Sequence, residues 1–488
     1  MAIIFRLIDD STTNEIDLVP GSGGFELSLD YMPAICNPQE AEGQDPPNVF
    51  EVLPVICRTA NDNDMATKLQ EAGKLARLAT RYFSDTLYNN PVWLEVKLDN
   101  ETNTRRSLVR SLKVEAQENW HFCASGDNVY WQSAIVVERL PYWEANESRT
   151  LPRFNPTETI SVTYDYTAAG ATVGAHDIVG DVGARIGYAL ITPRIGTTSE
   201  LGRLWVGLRS AEKYGADALT NFVNKWECEV AGATLGTDAA RAADATASPG
   251  GAGNTKVTVT PGTATWAKRL SIRLGDITAN YEDNFGFFLW LLRMKVSAGT
   301  WQVQAHFGYK QMTDDEHVRG ELIEVSSTSW NIYEMGFRII PATNWQIFGS
   351  LGDSREQTFQ IQIWAQRTDG AGTLDLDCLT PVPVDEGFFS VQNMSLSSTI
   401  TANDQLRYGV SPRNDVQFKC SDLVATSGEL KYPAYIFSNF YLPPGDGRMI
   451  VVHARDSTSV LGDDIGISGS ITDSGIYYER FLTLRGGN

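Results

Sequence analysis

Along most of this chain apolar and polar residues alternate with a period of two, the spacing of strands that bury one face. Val92, Leu94, Val96 and Leu98 alternate with Trp93, Glu95 and Lys97, and Leu108, Arg110, Leu112 and Val114 with Val109, Ser111 and Lys113. The polar run Asp99–Asn103 between them has the composition of a hairpin connection. Ile3–Ile8, Gly24–Leu29, Phe50–Arg58 and Trp131–Val137 read as further strands of this first unit. One segment changes period. Met65, Leu69, Ala72, Ala76, Ala79 and Phe83 recur at spacings of 4, 3, 4, 3 and 4, which predicts an amphipathic helix over 63–88. The Asn61–Asp64 cluster offers N-cap oxygens, and Pro91 blocks continuation.

Beyond residue 150, strand signals recur at Ile160–Tyr166, Ala184–Pro193 and Leu204–Ser210. The Ala-, Gly-, Thr- and Asp-rich stretch Ala231–Asn254 has little to bury and reads as a long loop. The densest strand pattern follows. Phe285–Val296 and Trp301–Tyr309 flank Ser297–Thr300, read as a hairpin turn. Phe359, Ile361 and Ile363 alternate with Gln360, Gln362 and Trp364, and Leu374, Leu376 and Cys378 with Asp375 and Asp377. Further strands fall at Asp415–Lys419, Lys431–Phe437, Arg448–His453 and Ile476–Leu484. The fold class expected is mainly β: a multi-domain β-sandwich and jelly-roll protein with one long amphipathic helix.

Composition narrows the function. At 488 residues the chain is long enough for about three domains, and its net charge of -20 disfavours nucleic acid and anionic membrane surfaces as partners. The longest apolar stretch, Phe285–Leu292, is too short to span a bilayer, and Ala2–Phe5 is too short for a signal-peptide core. Six cysteines lie far apart with no C-x-x-C, so buried thiols are expected rather than a disulfide or zinc framework.

The sequence carries no concentrated catalytic motif. Its five histidines form no metal-ligand pair, and no nucleophile elbow, Walker A or dinucleotide fingerprint occurs. His121 and Cys123 share a face if their segment is a strand, which suits packing as well as chemistry. Asp314-Asp315-Glu316 and Asp375 with Asp377 are the densest carboxylate clusters; the readings open to them are solvated faces, structural calcium and hydrolysis, in that order. No enzyme and no cofactor is expected, with structural calcium as the one metal these oxygens suit. Trp290, Trp301, Trp330, Tyr333, Trp345 and Trp364 are divided between core packing and stacking on sugar rings. Trp330, Tyr333 and Trp345 are taken as the carbohydrate candidates.

Several strings resemble tail proteins of long-tailed bacteriophages. Asn48–Arg58, the helix from Asn63 to Tyr88, Pro91–Glu95, Arg105–Val109 and Pro141-Tyr142-Trp143 are similar to the N-terminal domain of distal-tail and minor-tail proteins. Gly180–Ala184, Leu204–Arg209, Phe440–Gly447 and Phe481–Gly486 resemble the opening and close of a further tail sandwich. Trp226–Glu229, Asp244–Ser248, Gly299–Trp301, Tyr333–Gly336 and Leu374–Asp377 are similar to a carbohydrate-binding jelly roll. The resemblance implies a ring domain over 1–150, a discontinuous sandwich over 151–225 and 391–488, and an inserted jelly roll over 226–390. It implies a homo-oligomeric ring in the virion tail, assembled in the host cytoplasm. The partners implied are the tail tube, tape measure and tail-tip or hub proteins, and a host-surface glycan for the insert.

Overall fold

The computed structural model describes residues 2–27, 48–150 and 200–341 with short breaks, 359–392, and strand segments within 171–191 and 404–481. The protein is mainly β, built from antiparallel sheets with one long helix, Asp62–Ser84. None of the helices among the described residues is long and apolar enough to cross a membrane.

The first sheet runs in the order Glu15–Asp17, Ala2–Asp9, Val92–Leu98, Arg105–Glu115, Asn128–Arg139, Val49–Thr59 and Phe25–Leu27. The alternation read from the sequence sets its two faces. In Val49–Thr59, Glu51, Leu53, Val55 and Cys57 are buried while Phe50, Val52, Pro54 and Ile56 are exposed. The helix covers the inner face. It starts where the Asn61 side chain accepts from the Asp64 N–H and stops four residues short of the expected end, at Asp85, whose backbone is extended. Met65, Ala72, Leu75, Ala79 and Tyr82 are its buried residues, with Leu69, Ala76, Leu78 and Phe83 flanking. The C-terminal strand Arg480–Phe481 pairs with Trp143–Ala145 at the border of this sheet.

Two sheets then join early and late parts of the chain. One contains Arg149–Thr150, Ser474–Tyr477, Ala189–Ile191, Asp404–Val410, Val416–Asp422 and Leu430–Lys431. The other contains Ala171–Ile178, Gly445–Asp456, Glu200–Ser210, Phe388–Gln392 and Ala434–Phe437. The expected strand Ile160–Tyr166 lies outside the described residues, as does His121.

The intervening chain folds into a sandwich. Its seven-stranded sheet is built on Ala239–Ala243, Gly253–Val259, Leu374–Pro383, Gly286–Val296 and Asn331–Ile340, with Trp226–Glu227 and Pro249–Gly250 added. Its five-stranded sheet runs Thr234–Leu235, Ala267–Arg273, Phe359–Asp369, Thr300–Tyr309 and Val318–Val325. Between them Trp226, Trp290 and Phe359 pack ring against ring; the centroids of Trp226 and Trp290 are 4.8 Å apart.

Two expectations are corrected here. Ser297–Thr300 does not close a hairpin: Gly286–Val296 and Thr300–Tyr309 pair with different strands in different sheets. The turn is an arch over the core. Gly299 adopts a φ of 73°, and a Cβ there would clash with the Asp369 carbonyl. Ala231–Asn254 is not one loop, because Ala239–Ala243 pairs along its length with Gly253–Val259 at the sheet edge. Backbone hydrogen bonding holds that strand with little apolar burial, so periodicity gives no sign of it.

The sandwich is seated firmly on the sheet that contains Glu200–Ser210. Trp205, Phe388, Ile450 and Val452 belong to the same apolar core as its interior. The fully buried Arg209 donates to the carbonyls of Phe285 (2.8 Å) and Asp283 (3.2 Å), with Tyr214 and Phe222 rings against its guanidinium. Trp205 Nε1 donates to Glu334 at 2.6 Å.

Candidate functional site

The outer face of the five-stranded sheet collects most of the polar side chains that its strand periodicity turns away from the core. In Phe359–Asp369, Phe359, Ile361, Ile363 and Ala365 point inward, leaving Gln360, Gln362, Trp364 and Gln366 on the opposite face. In Thr300–Tyr309, Trp301, Val303, Ala305 and Phe307 point inward, leaving Gln302, Gln304 and His306. Register sets Gln302 opposite Gln366, Gln304 opposite Trp364, and His306 opposite Gln362. The next strand brings Lys268 beside Trp364 and Ser271 beside Gln362.

These groups hold one another in place. Gln366 Nε2 donates to Gln302 Oε1 at 2.7 Å, and Trp364 Nε1 to Gln362 Oε1 at 2.9 Å. The His306 ring stacks on Trp364, with centroids 5.2 Å apart and planes 20° from parallel. The indole therefore lies folded along its own strand over the histidine. It is half-buried, and no second ring stacks on it among the described residues. Burial, with the nearby charge of Arg319, lowers His306 to about 4 and keeps its ring neutral. His306 Nδ1 has no partner among the described residues.

The turn Asp314–Glu316 closes one end. His317 Nδ1 donates to the Thr313 carbonyl at 2.9 Å, and its Nε2 lies 2.8 Å from Gln360 Nε2. Lys268 Nζ lies 2.8 Å from Asp314, and this bond holds the carboxyl below its ordinary range. Gln360, Gln362 and His306 are buried, so the face presents the partly exposed Gln302, Gln304, Trp364 and Gln366 with one compensated charge pair. Such a surface can hydrogen-bond hydroxyls and stack on a C–H face.

The carboxylate clusters supply no poised acid and base. Asp314 is ion-paired with Lys268. Asp375 accepts from Lys256 and Thr258, and Asp377 pairs with Arg293. Among the described residues, Glu227, Asp377 and Cys378 are the group with metal-ligand spacing, one donor atom of each lying within 4.8 Å of the others. Burial pushes Glu227 up to about 8 against the pull of Lys225. Cys57, Cys228 and Cys378 are buried thiols.

Of the carbohydrate candidates read from the sequence, the two among the described residues, Trp330 and Tyr333, lie away from the amide face. Trp330 is 4% exposed; its ring is flanked by Arg293 and Lys295, and its Nε1 donates to Thr246. Tyr333 is half-buried on Asn331–Ile340, in the other sheet, packed against the core. Trp345 lies outside the described residues. Trp290 and Trp301 are core. The signal that marks the amide face is the Gln-x-Gln alternation at 302–304 and 360–362, in which the polar positions are amides rather than charges.

No protein-family model and no curated protein matches the chain. Among solved structures, the CBM22-1 xylan-binding domain from Paenibacillus barcinonensis Xyn10C is 14% identical, covering 33% of this chain and 94% of that one with a TM-score of 0.21. The N-terminal CBM22-1-CBM22-2 tandem domain from the same protein is 10% identical, covering 58% and 100%, with a TM-score of 0.19. Scores at this level do not establish a shared fold.

Proposed function

We propose that the protein is a non-catalytic structural component of a phage tail, a distal or minor tail protein forming a ring or adaptor between tail tube and tip. Residues 1–150 form the assembling unit in this reading, 151–225 with 391–488 a second tail sandwich, and 226–390 an inserted jelly roll. The phage assignment rests on the sequence strings given above. The structural observation that supports assembly is the outward face of Val49–Thr59. Phe50 is 70% exposed, and Val52, Pro54 and Ile56 continue the same stripe, backed by Val136 and Ala134 on the neighbouring strand.

An apolar stripe on a sheet face is costly to leave in water, at roughly 25 cal/mol per Å². In a chain of net charge -20, apolar contact has to outweigh mutual repulsion when copies meet. Repetition of one such contact around a closed symmetry gives a ring. The neighbours proposed are tail tube, tape measure and tail-tip proteins, with the chain resident in the virion tail after assembly in the host cytoplasm.

Sedimentation velocity tests the assembling face. The wild type is expected to sediment as a discrete oligomer, and F50E/I56E as a monomer with unchanged circular dichroism. An oligomer that survives both charges removes this face from the account.

The amide face favours a second, compatible role: binding a host-surface glycan through Trp364 and the surrounding glutamines. Many copies in a ring would raise a weak single-site affinity by avidity.

A further inference from the structure

We infer that the amide face selects uncharged, hydroxyl-bearing sugars over acidic ones, and that the hydrogen-bonded pair Gln302–Gln366 makes the selection. This rests on the glycan role given above and names the ligand class of that same face. Gln302 and Gln366 stand directly opposite each other on neighbouring strands, both partly exposed. Gln366 Nε2 donates to Gln302 Oε1 at 2.7 Å, which engages one atom of each amide inside the pair. The Gln302 Nε2 donor and the Gln366 Oε1 acceptor have no partner among the described residues.

The other amides of the face are committed. Gln304 Nε2 donates to the Gly320 carbonyl at 2.8 Å, and Gln304 Oε1 lies 3.1 Å from His306 Nε2. Gln360 and Gln362 are buried. The Gln302–Gln366 pair is therefore where a donor and an acceptor remain side by side for a ligand. Trp364 is one side-chain pair further along the same strands, roughly 7 Å away, so a sugar chain stacked on the indole passes over the pair.

A donor beside an acceptor matches neighbouring hydroxyls. One hydroxyl oxygen accepts from Gln302 Nε2 while the next O–H donates to Gln366 Oε1. An ionised carboxylate or phosphate carries acceptors alone. It can take the Gln302 donor, but it sets its own lone pairs against Gln366 Oε1. The nearby charge pushes the same way, because the exposed Glu324 stands opposite Gln302 on the next strand. Two cations of the face lie elsewhere. Lys268, opposite Trp364, is paired with Asp314. Arg319 is opposite His306, two side-chain pairs along and roughly 13 Å away.

Equilibrium binding of the full chain to immobilised neutral bacterial polysaccharides, and to the same polymers after oxidation of their primary hydroxyls to carboxylates, tests this. In about 1 M sodium chloride the Debye length is about 3 Å, so the net charge of -20 no longer repels an anionic polymer from a distance. A neutral polymer that binds is expected to lose about tenfold in affinity on oxidation. Q366K keeps a donor for Gln302 Oε1 and puts a cation where the acceptor stood. With its thermal midpoint unchanged, it is expected to bind the oxidised polymer at least as tightly as the neutral one. E324Q, a change at an exposed position outside the pair, is expected to narrow the preference. Equal affinity for the two forms in the wild type, or a preference that neither variant narrows, overturns the selection and leaves the glycan role standing. Absence of binding to every polymer removes both.

Discussion

Glu51→Ala is expected to cost about 3–5 kcal/mol and to unfold the first sheet well before the inserted sandwich. Glu51 and Arg139 are both fully buried, with Arg139 Nε 2.8 Å and Nη2 2.5 Å from one Glu51 oxygen. The guanidinium also lies over the Trp143 ring and donates to the Leu140 carbonyl at 2.9 Å. Removing the carboxylate leaves a guanidinium that cannot be deprotonated inside an apolar layer made by Leu53, Val55, Ile135 and Val137. Replacing both partners by apolar groups of similar volume avoids that penalty. E51L/R139M should therefore unfold close to the wild-type midpoint, although it differs more from the wild type than the single variant does. Urea unfolding followed by tryptophan emission measures both. Equal losses in the single and double variants would mean the pair is not what holds this end of the sheet.

Trp364→Ala is expected to lower glycan affinity by about 2 kcal/mol, roughly thirtyfold in Kd, with little change in thermal midpoint. Trp330→Ala is expected to do the opposite. Trp364 is half-buried over His306 on the amide face, and its indole lies among the glutamines. Trp330 is buried between cationic side chains on the other sheet, so its truncation opens a cavity costing about 3–5 kcal/mol. The measurement is binding to a panel of immobilised bacterial cell-wall polysaccharides, with the thermal midpoint recorded on the same samples. A folded W364A that binds as the wild type does, or a folded W330A that has lost binding, would move the glycan site off the amide face.

Elements with a strong one-dimensional period were legible in the sequence. The helix follows from Met65, Ala72 and Ala79, although its buried stripe centres on Leu75 and Tyr82, because packing on the sheet chooses among adjacent apolar columns. Strand positions such as 92–98 and 359–363 follow from alternation. Pairing did not. The turn at Ser297–Thr300 has hairpin composition, yet both flanking strands find partners elsewhere, because burying Trp290 and Trp301 in one core requires them in facing sheets. The Ala239–Ala243 strand gave no apolar signal because its stability is in the backbone.

The site was less legible than the fold. An aromatic residue in a strand reads the same whether it points in or out, and Trp330 and Trp364 differ only through their neighbours in space. The Gln-x-Gln strings at 302–304 and 360–362 carry no charge, and it is the register of their strands that sets them on one face.

The proposed role requires that this chain be a part that repeats. Electron micrographs of the purified full-length protein, sorted into class averages, test that directly. Closed rings of identical subunits, with the Val49–Thr59 strands at the subunit contacts, are the predicted result. Isolated asymmetric particles at every protein concentration would contradict it.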